Sequence, residues 1–212
     1  MLFHQLLKVP FFHTWHLKRR FKVERQLIEG CHHASSSHRS IIHFSVNKAA
    51  TTYTKSILSR CATENGIVPV NINGYAFNSN LPFLDHLTAQ EMVRYRHILK
   101  ASGYLYTVFG GMVEGIQNLD EFLTVLIVRD PRDALTSEYF SMAHSHEPPR
   151  SRNKIESFTE LRDSARTVGI DQYVIEESDR VGKVYQRYLD LLVNRPNVYI
   201  TNYEEMILDF QT

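Results

Sequence analysis

The 212-residue sequence has only two cysteines and almost no net charge. Two cysteines are too few for a disulfide-stabilised scaffold and are typical of a reducing compartment, so we expect a cytoplasmic protein. Because 24 Lys and Arg side chains are balanced by 23 Asp and Glu side chains, no basic field indicates nucleic acid as a partner. Apolar runs of about 18 residues are also missing, so we expect no transmembrane segment.

The composition is otherwise that of a globular protein, with 43% hydrophobic and 22% charged residues. Histidine is the exception, because seven of its 11 residues lie between His4 and His43. The sequence Cys31-His32-His33 suggests a metal site, but a flexible serine run follows it at residues 35–37. We therefore interpret these histidines as solvated or partly buried side chains and expect no metal.

The N-terminal residues are apolar, but their charge pattern does not fit a secretion signal. A signal peptide carries its positive charges before the apolar core, whereas here the basic residues from Lys18 to Lys22 follow it. We expect residues 1–39 to form an N-terminal extension and linker, and residues 40–212 to form one domain. Binding of this extension to a membrane surface stays open as an alternative.

Segments typical of strands alternate with segments typical of helices after residue 40. Apolar and β-branched residues predict strands at residues 41–46, 104–109, 122–128 and 197–202. Helical spacing predicts helices at residues 50–64, 88–100, 131–143, 156–167 and 171–193. Prolines and a glycine among Asn and Ser residues predict a surface loop at residues 67–86. The alternation predicts an α/β three-layer sandwich with a central parallel sheet, in which ligands bind beyond the carboxyl ends of the strands.

The loop after the first predicted strand is a candidate anion site. It reads Ser-Val-Asn-Lys-Ala-Ala-Thr-Thr-Tyr over residues 45–53, where a strand passes into a helix. Backbone N–H groups and the helix dipole attract an anion there, and Lys48, Thr51 and Thr52 add a charge and two hydroxyls. It is not a Walker A loop, because it lacks glycine and its lysine comes first. A structural turn with two capping threonines is the alternative.

The loop after the third predicted strand carries a second candidate site. Arg129 leaves the tip of the strand, where its guanidinium is suited to bidentate phosphate binding. Pro131 suits the first turn of a helix, and Ser137 faces the same cleft if the ligand lies along that helix. The alternative is an Arg-Asp salt-bridge cluster that only fixes the turn.

Together, the two loops resemble those of the sulfotransferase family. The family binds the 5′-phosphosulfate with the pattern Lys-Ser-Gly-Thr-Thr-Trp, which corresponds to Lys48-Ala49-Ala50-Thr51-Thr52-Tyr53. Its 3′-phosphate motif corresponds to Arg129-Asp130-Pro131-Arg132-Asp133 followed by Ser137. The family's Tyr-Glu-Asp-Met segment is similar to Tyr203-Glu204-Glu205-Met206. The resemblance covers roughly residues 40–206, in the right order.

The resemblance implies a fold similar to that of P-loop nucleoside-triphosphate hydrolases. It also implies metal-free sulfuryl transfer from 3′-phosphoadenosine 5′-phosphosulfate to a hydroxyl or amine of a small-molecule or glycan acceptor. Residues 48–53 would bind the phosphosulfate, and Lys48 would stabilise the charge that grows on the departing phosphate. Arg129 and Ser137 would hold the 3′-phosphate.

The sequence departs from the family pattern at two places. Many members carry a catalytic histidine at the tip of the strand that corresponds to residues 104–109, where this sequence has no ionisable side chain. Glu114 is our candidate for the general base, with His144 and His146 as alternatives. Family members also continue beyond the position of Thr212 into a Gly-rich basic segment, so we expect a C-terminally truncated domain.

Two other functions stay open. A P-loop phosphotransferase would use Asp130 as a Mg²⁺ ligand, although the glycine-poor loop does not build a triphosphate cradle. A domain that binds the nucleotide without turnover is the other. The candidates to line an apolar acceptor pocket are Tyr75, Phe77, Phe83 and Phe109, with simple packing of these aromatic residues as the alternative.

Overall fold

A single parallel sheet of five strands forms the centre of the protein. It is seen in a computed structural model, which describes residues 17–149 and 152–208. The strands are β1 (Ile41–Ser45), β2 (Val68–Val70), β3 (Tyr104–Phe109), β4 (Leu123–Val128) and β5 (Val198–Asn202). Their order is β2-β3-β1-β4-β5, and every pairing is parallel. The four predicted strands and the predicted parallel sheet are confirmed.

Helices cover both faces of this sheet. They are α1 (Lys22–Ile28), α2 (Thr51–Glu64), α3 (Ile72–Asn78), α4 (Ala89–Met92), α5 (Pro131–Phe140), α6 (Arg152–Leu191) and α7 (Tyr203–Leu208). Helix α6 is broken at Gly169, where φ is 77° and ψ is 170°, so it forms two helical segments as predicted. Within the described residues, no helix is long and apolar enough to cross a membrane.

The three layers follow from the alternation of side chains along β1. Phe44 points to one face, where its ring lies 5.9 Å from that of Tyr188 in α6. On the opposite face, Leu105 of β3 packs with Ala62 of α2 and with Ile67. The chain is therefore an α/β three-layer sandwich, the predicted fold class.

The prediction of a surface loop at residues 67–86 is wrong. This segment contains β2, α3 and a 3₁₀ turn at Leu84–His86. The side chain of Asn71 caps α3 by accepting a hydrogen bond from the backbone N–H of Gly74 at 2.9 Å. Apolar residues beside these turns, among them Leu84, are fully buried, so the segment folds onto the sheet instead of lying in solvent.

Helix α1 packs into the same core as the sheet. Leu27 is 0% exposed and belongs to the main apolar cluster, and the ring of Phe21 lies 5.5 Å from that of Tyr75. The buried carboxylate of Glu24 accepts a hydrogen bond from the backbone N–H of Asn71 at 2.9 Å, and burial raises the pKa of Glu24. The described part of the predicted extension is thus docked on the domain.

A buried histidine lies at the centre of the sheet. His43 of β1 is fully buried, and its Nδ1 atom is hydrogen-bonded to the hydroxyl of Thr107 at 2.9 Å. Its Nε2 atom has no partner among the described residues. Burial, assisted by the charge of Lys55, lowers the pKa of His43 to about 4.

We expect this histidine to make stability depend on pH. Between about pH 6.5 and pH 4 the unfolded chain binds a proton at His43 and the folded chain does not. The free energy of unfolding should therefore fall as pH decreases through this window, by on the order of 3 kcal/mol. Urea unfolding of wild type and His43→Gln, which cannot titrate there, measures the effect. An equal pH dependence in both proteins would contradict it.

Candidate active site

The loops after β1 and β4 leave the sheet side by side at its carboxyl edge. Strands β1 and β4 are neighbours, with Ser45 in register with Ile127. The backbone N–H of Val46 also donates to the carbonyl oxygen of Ile127 at 3.0 Å, which extends this pairing into the first loop. The two candidate loops therefore meet at the edge where ligands bind in parallel sheets.

The first of these loops, residues 46–50, has an unusual backbone, and we call it the Lys48 loop. Lys48 and Ala50 both adopt left-handed conformations, with φ of 68° and 53°. The backbone N–H groups of Lys48, Ala50, Thr51 and Thr52 have no acceptor among the residues that the structure describes. Unpaired N–H groups beside the start of a 14-residue helix are suited to an anion.

Arg129 joins the three segments that the sequence singled out. Its guanidinium donates to the carbonyl oxygen of Lys48 at 2.7 Å, and its Cζ atom lies 4.2 Å from the ring centroid of Tyr203. The hydroxyl of Tyr185 donates to the carbonyl oxygen of Arg129. The Nε atom of Arg129 is buried without an acceptor in the described part of the chain. A buried, unpaired guanidinium nitrogen is a donor that an anion would satisfy.

The next residue, Asp130, has a structural role. Its carboxylate caps α5 by accepting from the backbone N–H of Arg132 at 2.9 Å, and it pairs with the Arg132 side chain at 2.6 Å. These contacts with Arg132 lower the pKa of Asp130 to about 2. The salt-bridge alternative is therefore confirmed for Asp130. Across residues 17–149 and 152–208, no group of three or more His, Cys, Asp or Glu residues is arranged to hold a metal ion.

Helix α5 carries Ser137 and ties the Lys48 loop to α6. Ser137 is half-buried, and its hydroxyl has no partner within the described residues. The neighbouring carboxylate of Glu138 accepts from the side chain of Asn47 at 3.4 Å and from Arg180 at 3.1 Å. Sequence reasoning missed Glu138 and Arg180, because a long-range ion pair leaves no local pattern.

The candidates for the general base lie in different surroundings. Both carboxylate oxygens of Glu114 accept from the guanidinium of Arg187 at 2.7 Å. The ring of His146 lies 6.1 Å from that of Phe77 and 5.7 Å from that of Phe158. Burial and then the charge of Lys48 lower the pKa of His146. The role of Glu114 as the base stays a prediction.

A groove of about 520 Å³ opens beside the first turn of α2. Tyr53, which is 49% exposed, forms part of its wall. The other lining residues come from α2, β4, β5 and α7, and they are Thr54, Ile57, Leu58, Val125, Ile127, Tyr199, Thr201, Glu205 and Met206. The sequence did not reveal this groove, because it exists only where β5 lies next to β4.

The comparisons with known proteins show similarity to solved structures but not to sequences. No family model matches the sequence, and no curated protein matches it. Among solved structures, the chain is similar to the mouse sulfotransferase SULT7A1 complexed with PAP, with 16% sequence identity and a TM-score of 0.40. The similarity covers 89% of this chain and 59% of the mouse protein. This chain therefore spans less than two thirds of the length of the mouse protein.

The left-handed conformation of Ala50 generates a stability prediction. A side chain at φ 53° is strained, whereas glycine adopts this conformation freely. We expect Ala50→Gly to raise the free energy of unfolding by about 0.5–1 kcal/mol in urea titrations. The adjacent Ala49 has no positive φ and is buried, so Ala49→Gly is the matched control and should destabilise. A lower free energy of unfolding in both variants would contradict backbone strain at Ala50.

Proposed function

We propose that the chain is a sulfotransferase that uses 3′-phosphoadenosine 5′-phosphosulfate. The acceptor would be a hydroxyl or amine of a small molecule or glycan. The observation that supports this most is the contact between Arg129 and the carbonyl oxygen of Lys48. It sets a buried, unpaired guanidinium nitrogen beside a loop of unpaired N–H groups, and a nucleotide with two separate phosphate positions suits such a pair of anion sites.

The Lys48 loop would bind the 5′-phosphosulfate. Its N–H groups would donate to the phosphate oxygens, and the hydroxyls of Thr51 and Thr52 lie in the first turn of α2. In the transfer, the acceptor oxygen or nitrogen forms a bond to sulfur while the bond from sulfur to the phosphate oxygen breaks. The electron pair of that bond stays on the phosphate, and the ammonium of Lys48 stabilises the new charge.

Arg129 and Ser137 would hold the 3′-phosphate. The guanidinium of Arg129 is already fixed by the carbonyl of Lys48 and by the ring of Tyr203, so little ordering is left for the ligand to impose. Its Nε–H and the hydroxyl of Ser137 are donors without partners in the described structure, and both suit a phosphate oxygen.

The groove beside Tyr53 would hold the adenine ring. Its volume of about 520 Å³ lies within the usual range for small-molecule sites. The ring of Tyr53 is an aromatic surface for stacking, and the carboxylate of Glu205 is an acceptor for the exocyclic amine of adenine. Residues 48–53 would therefore contact the donor from its phosphosulfate to its base.

Binding of the nucleotide without turnover is the second candidate function. It is favoured by the pairing of Glu114 with Arg187, which occupies both oxygens of the predicted base. A phosphotransferase is disfavoured because the carboxylate of Asp130 is engaged in capping α5 and in its ion pair with Arg132.

Cys31 and Cys61 are free thiols, in keeping with the reducing cytoplasm that we propose as the compartment.

Binding of adenosine 3′,5′-bisphosphate tests the two anion sites. A ligand that binds only the folded state stabilises it by RT ln(1 + [L]/Kd), which is about 2.7 kcal/mol at a hundredfold excess over Kd. We expect a larger rise in Tm with the bisphosphate than with AMP, which lacks the 3′-phosphate assigned to Arg129. Equal shifts with the two nucleotides, measured without added metal, would show that the second anion site is not used.

Replacing Lys48 tests its role in the transfer. Lys48→Met keeps much of the apolar stem but removes the charge, so we expect turnover to fall by about 10²–10³. Bisphosphate binding should weaken much less, because the loop N–H groups and Arg129 remain. Lys183→Met is the control, since Lys183 is an exposed residue paired with Asp179 on α6.

The two readouts separate two ways in which this assignment can fail. Loss of bisphosphate binding in folded Lys48→Met would show that Lys48 binds the nucleotide in the ground state instead of stabilising the transition state selectively. Unchanged turnover would remove Lys48 from the reaction altogether.

A further inference from the structure

The structure brings a carboxylate to the end of β3, where the strand itself offers no ionisable side chain. Asp85 lies in the 3₁₀ turn Leu84–His86. Its Oδ2 atom accepts hydrogen bonds from the backbone N–H groups of Gly110 at 2.8 Å and Gly111 at 3.0 Å, the first two residues after β3. Its Oδ1 atom accepts from the side chain of Asn73 at 2.9 Å. Three donors therefore fix the orientation of this carboxylate.

Asp85 lies beside the Lys48 loop, because β3 and β1 are neighbours in the sheet. A Cβ atom at Gly110 would lie 3.1 Å from Oδ1 of Asn47 and 3.8 Å from Oδ2 of Asp85. Asn47 immediately precedes Lys48 in the chain. Gly110 thus separates the carboxylate from the proposed phosphosulfate loop, and it adds no side chain to the space between them.

Unpaired polar atoms lie next to this carboxylate. The Oδ1 atom of Asn73, on the amide that donates to Asp85, is buried and has no donor among the described residues. Tyr188 is 2% exposed, and its hydroxyl is likewise unpaired there. Burial, and then the negative charge of Asp85, raise the pKa of Tyr188. The surroundings of the Asp85 carboxylate at the end of β3 are therefore polar.

Asp85 also retains capacity to accept a proton. A carboxylate has about four lone-pair positions, of which the N–H groups occupy two on Oδ2 and one on Oδ1. One position on Oδ1 is therefore available. Glu114 differs, because a guanidinium engages both of its oxygens in a bidentate ion pair.

We propose that Asp85 is the general base that accepts the proton of the acceptor hydroxyl. This inference rests on the proposed sulfuryl transfer. As the acceptor oxygen forms its bond to sulfur, its proton passes to the Asp85 carboxylate, which becomes a neutral acid. The bond from sulfur to the phosphate oxygen breaks at the same time, and its electron pair leaves with adenosine 3′,5′-bisphosphate.

Two phenols of different acidity test this role in the full chain. At mildly alkaline pH, 4-nitrophenol is largely ionised and needs no base, whereas 4-methylphenol keeps its proton. We expect Asp85→Asn to lower transfer to 4-methylphenol by about 10²–10⁴ and transfer to 4-nitrophenol much less. Bisphosphate binding, measured by thermal shift, should stay unchanged. Glu114→Gln tests the competing candidate. Asp179→Asn, at an exposed carboxylate paired with Lys183 on α6, is the matched control and should leave transfer to both phenols unchanged.

A second variant separates chemistry from folding. Asp85→Ala should recover part of its transfer to 4-methylphenol when formate is added, because the added carboxylate replaces the missing one. Equal losses with both phenols, or a selective loss in Glu114→Gln instead, would overturn the inference. A wild-type chain that binds the bisphosphate but releases none from the donor, with either phenol or with water, would overturn it too. Failure of the wild type to bind the bisphosphate would instead overturn the proposed function.

Discussion

The guanidinium of Arg129 donates to the carbonyl oxygen of Lys48 at 2.7 Å, and this hydrogen bond sets the relation between the loops after β1 and β4. The centroid of the Tyr203 ring lies 4.2 Å from the Cζ atom of the same guanidinium, so the segment after β5 contacts it as well. A charged donor held between a carbonyl dipole and an aromatic face has little freedom to rotate. The proposed phosphate contacts depend on that rigidity, because a preorganised donor loses less entropy when the ligand binds.

Strain and unpaired donors are concentrated around the Lys48 loop, while the carboxylates nearby are held by other contacts. Ala50 adopts a left-handed conformation, and the N–H groups of Lys48, Ala50, Thr51 and Thr52 have no acceptor among the described residues. Glu138 binds Asn47 and Arg180, and Asp130 is occupied with Arg132. The carboxylates of Glu138 and Asp130 are thereby paired with arginine side chains and do not accept from the N–H groups of the Lys48 loop.

Much of the fold was predictable because its signals are local. The apolar segments of β1, β3, β4 and β5 have the residue types of buried strands, and their alternation with helical segments indicates a parallel sheet. Strand β2 was missed, because Val-Pro-Val is three residues long and contains a proline, which is tolerated there only at the sheet edge. Segments of that length carry no periodicity from which a strand can be recognised.

In the candidate site, the Lys48 loop, Arg129 and the segment at Tyr203 could be recognised from the sequence, because each depends on residues adjacent along the chain. The side chains that surround them could be found only from the folded chain. Asp85 reaches the end of β3 across 25 residues, and Glu138 reaches Asn47 across 91. The groove beside Tyr53 likewise requires β5 to pair with β4. The order of strands in the sheet places these groups together, and that order is set by packing between distant segments, which no local pattern encodes.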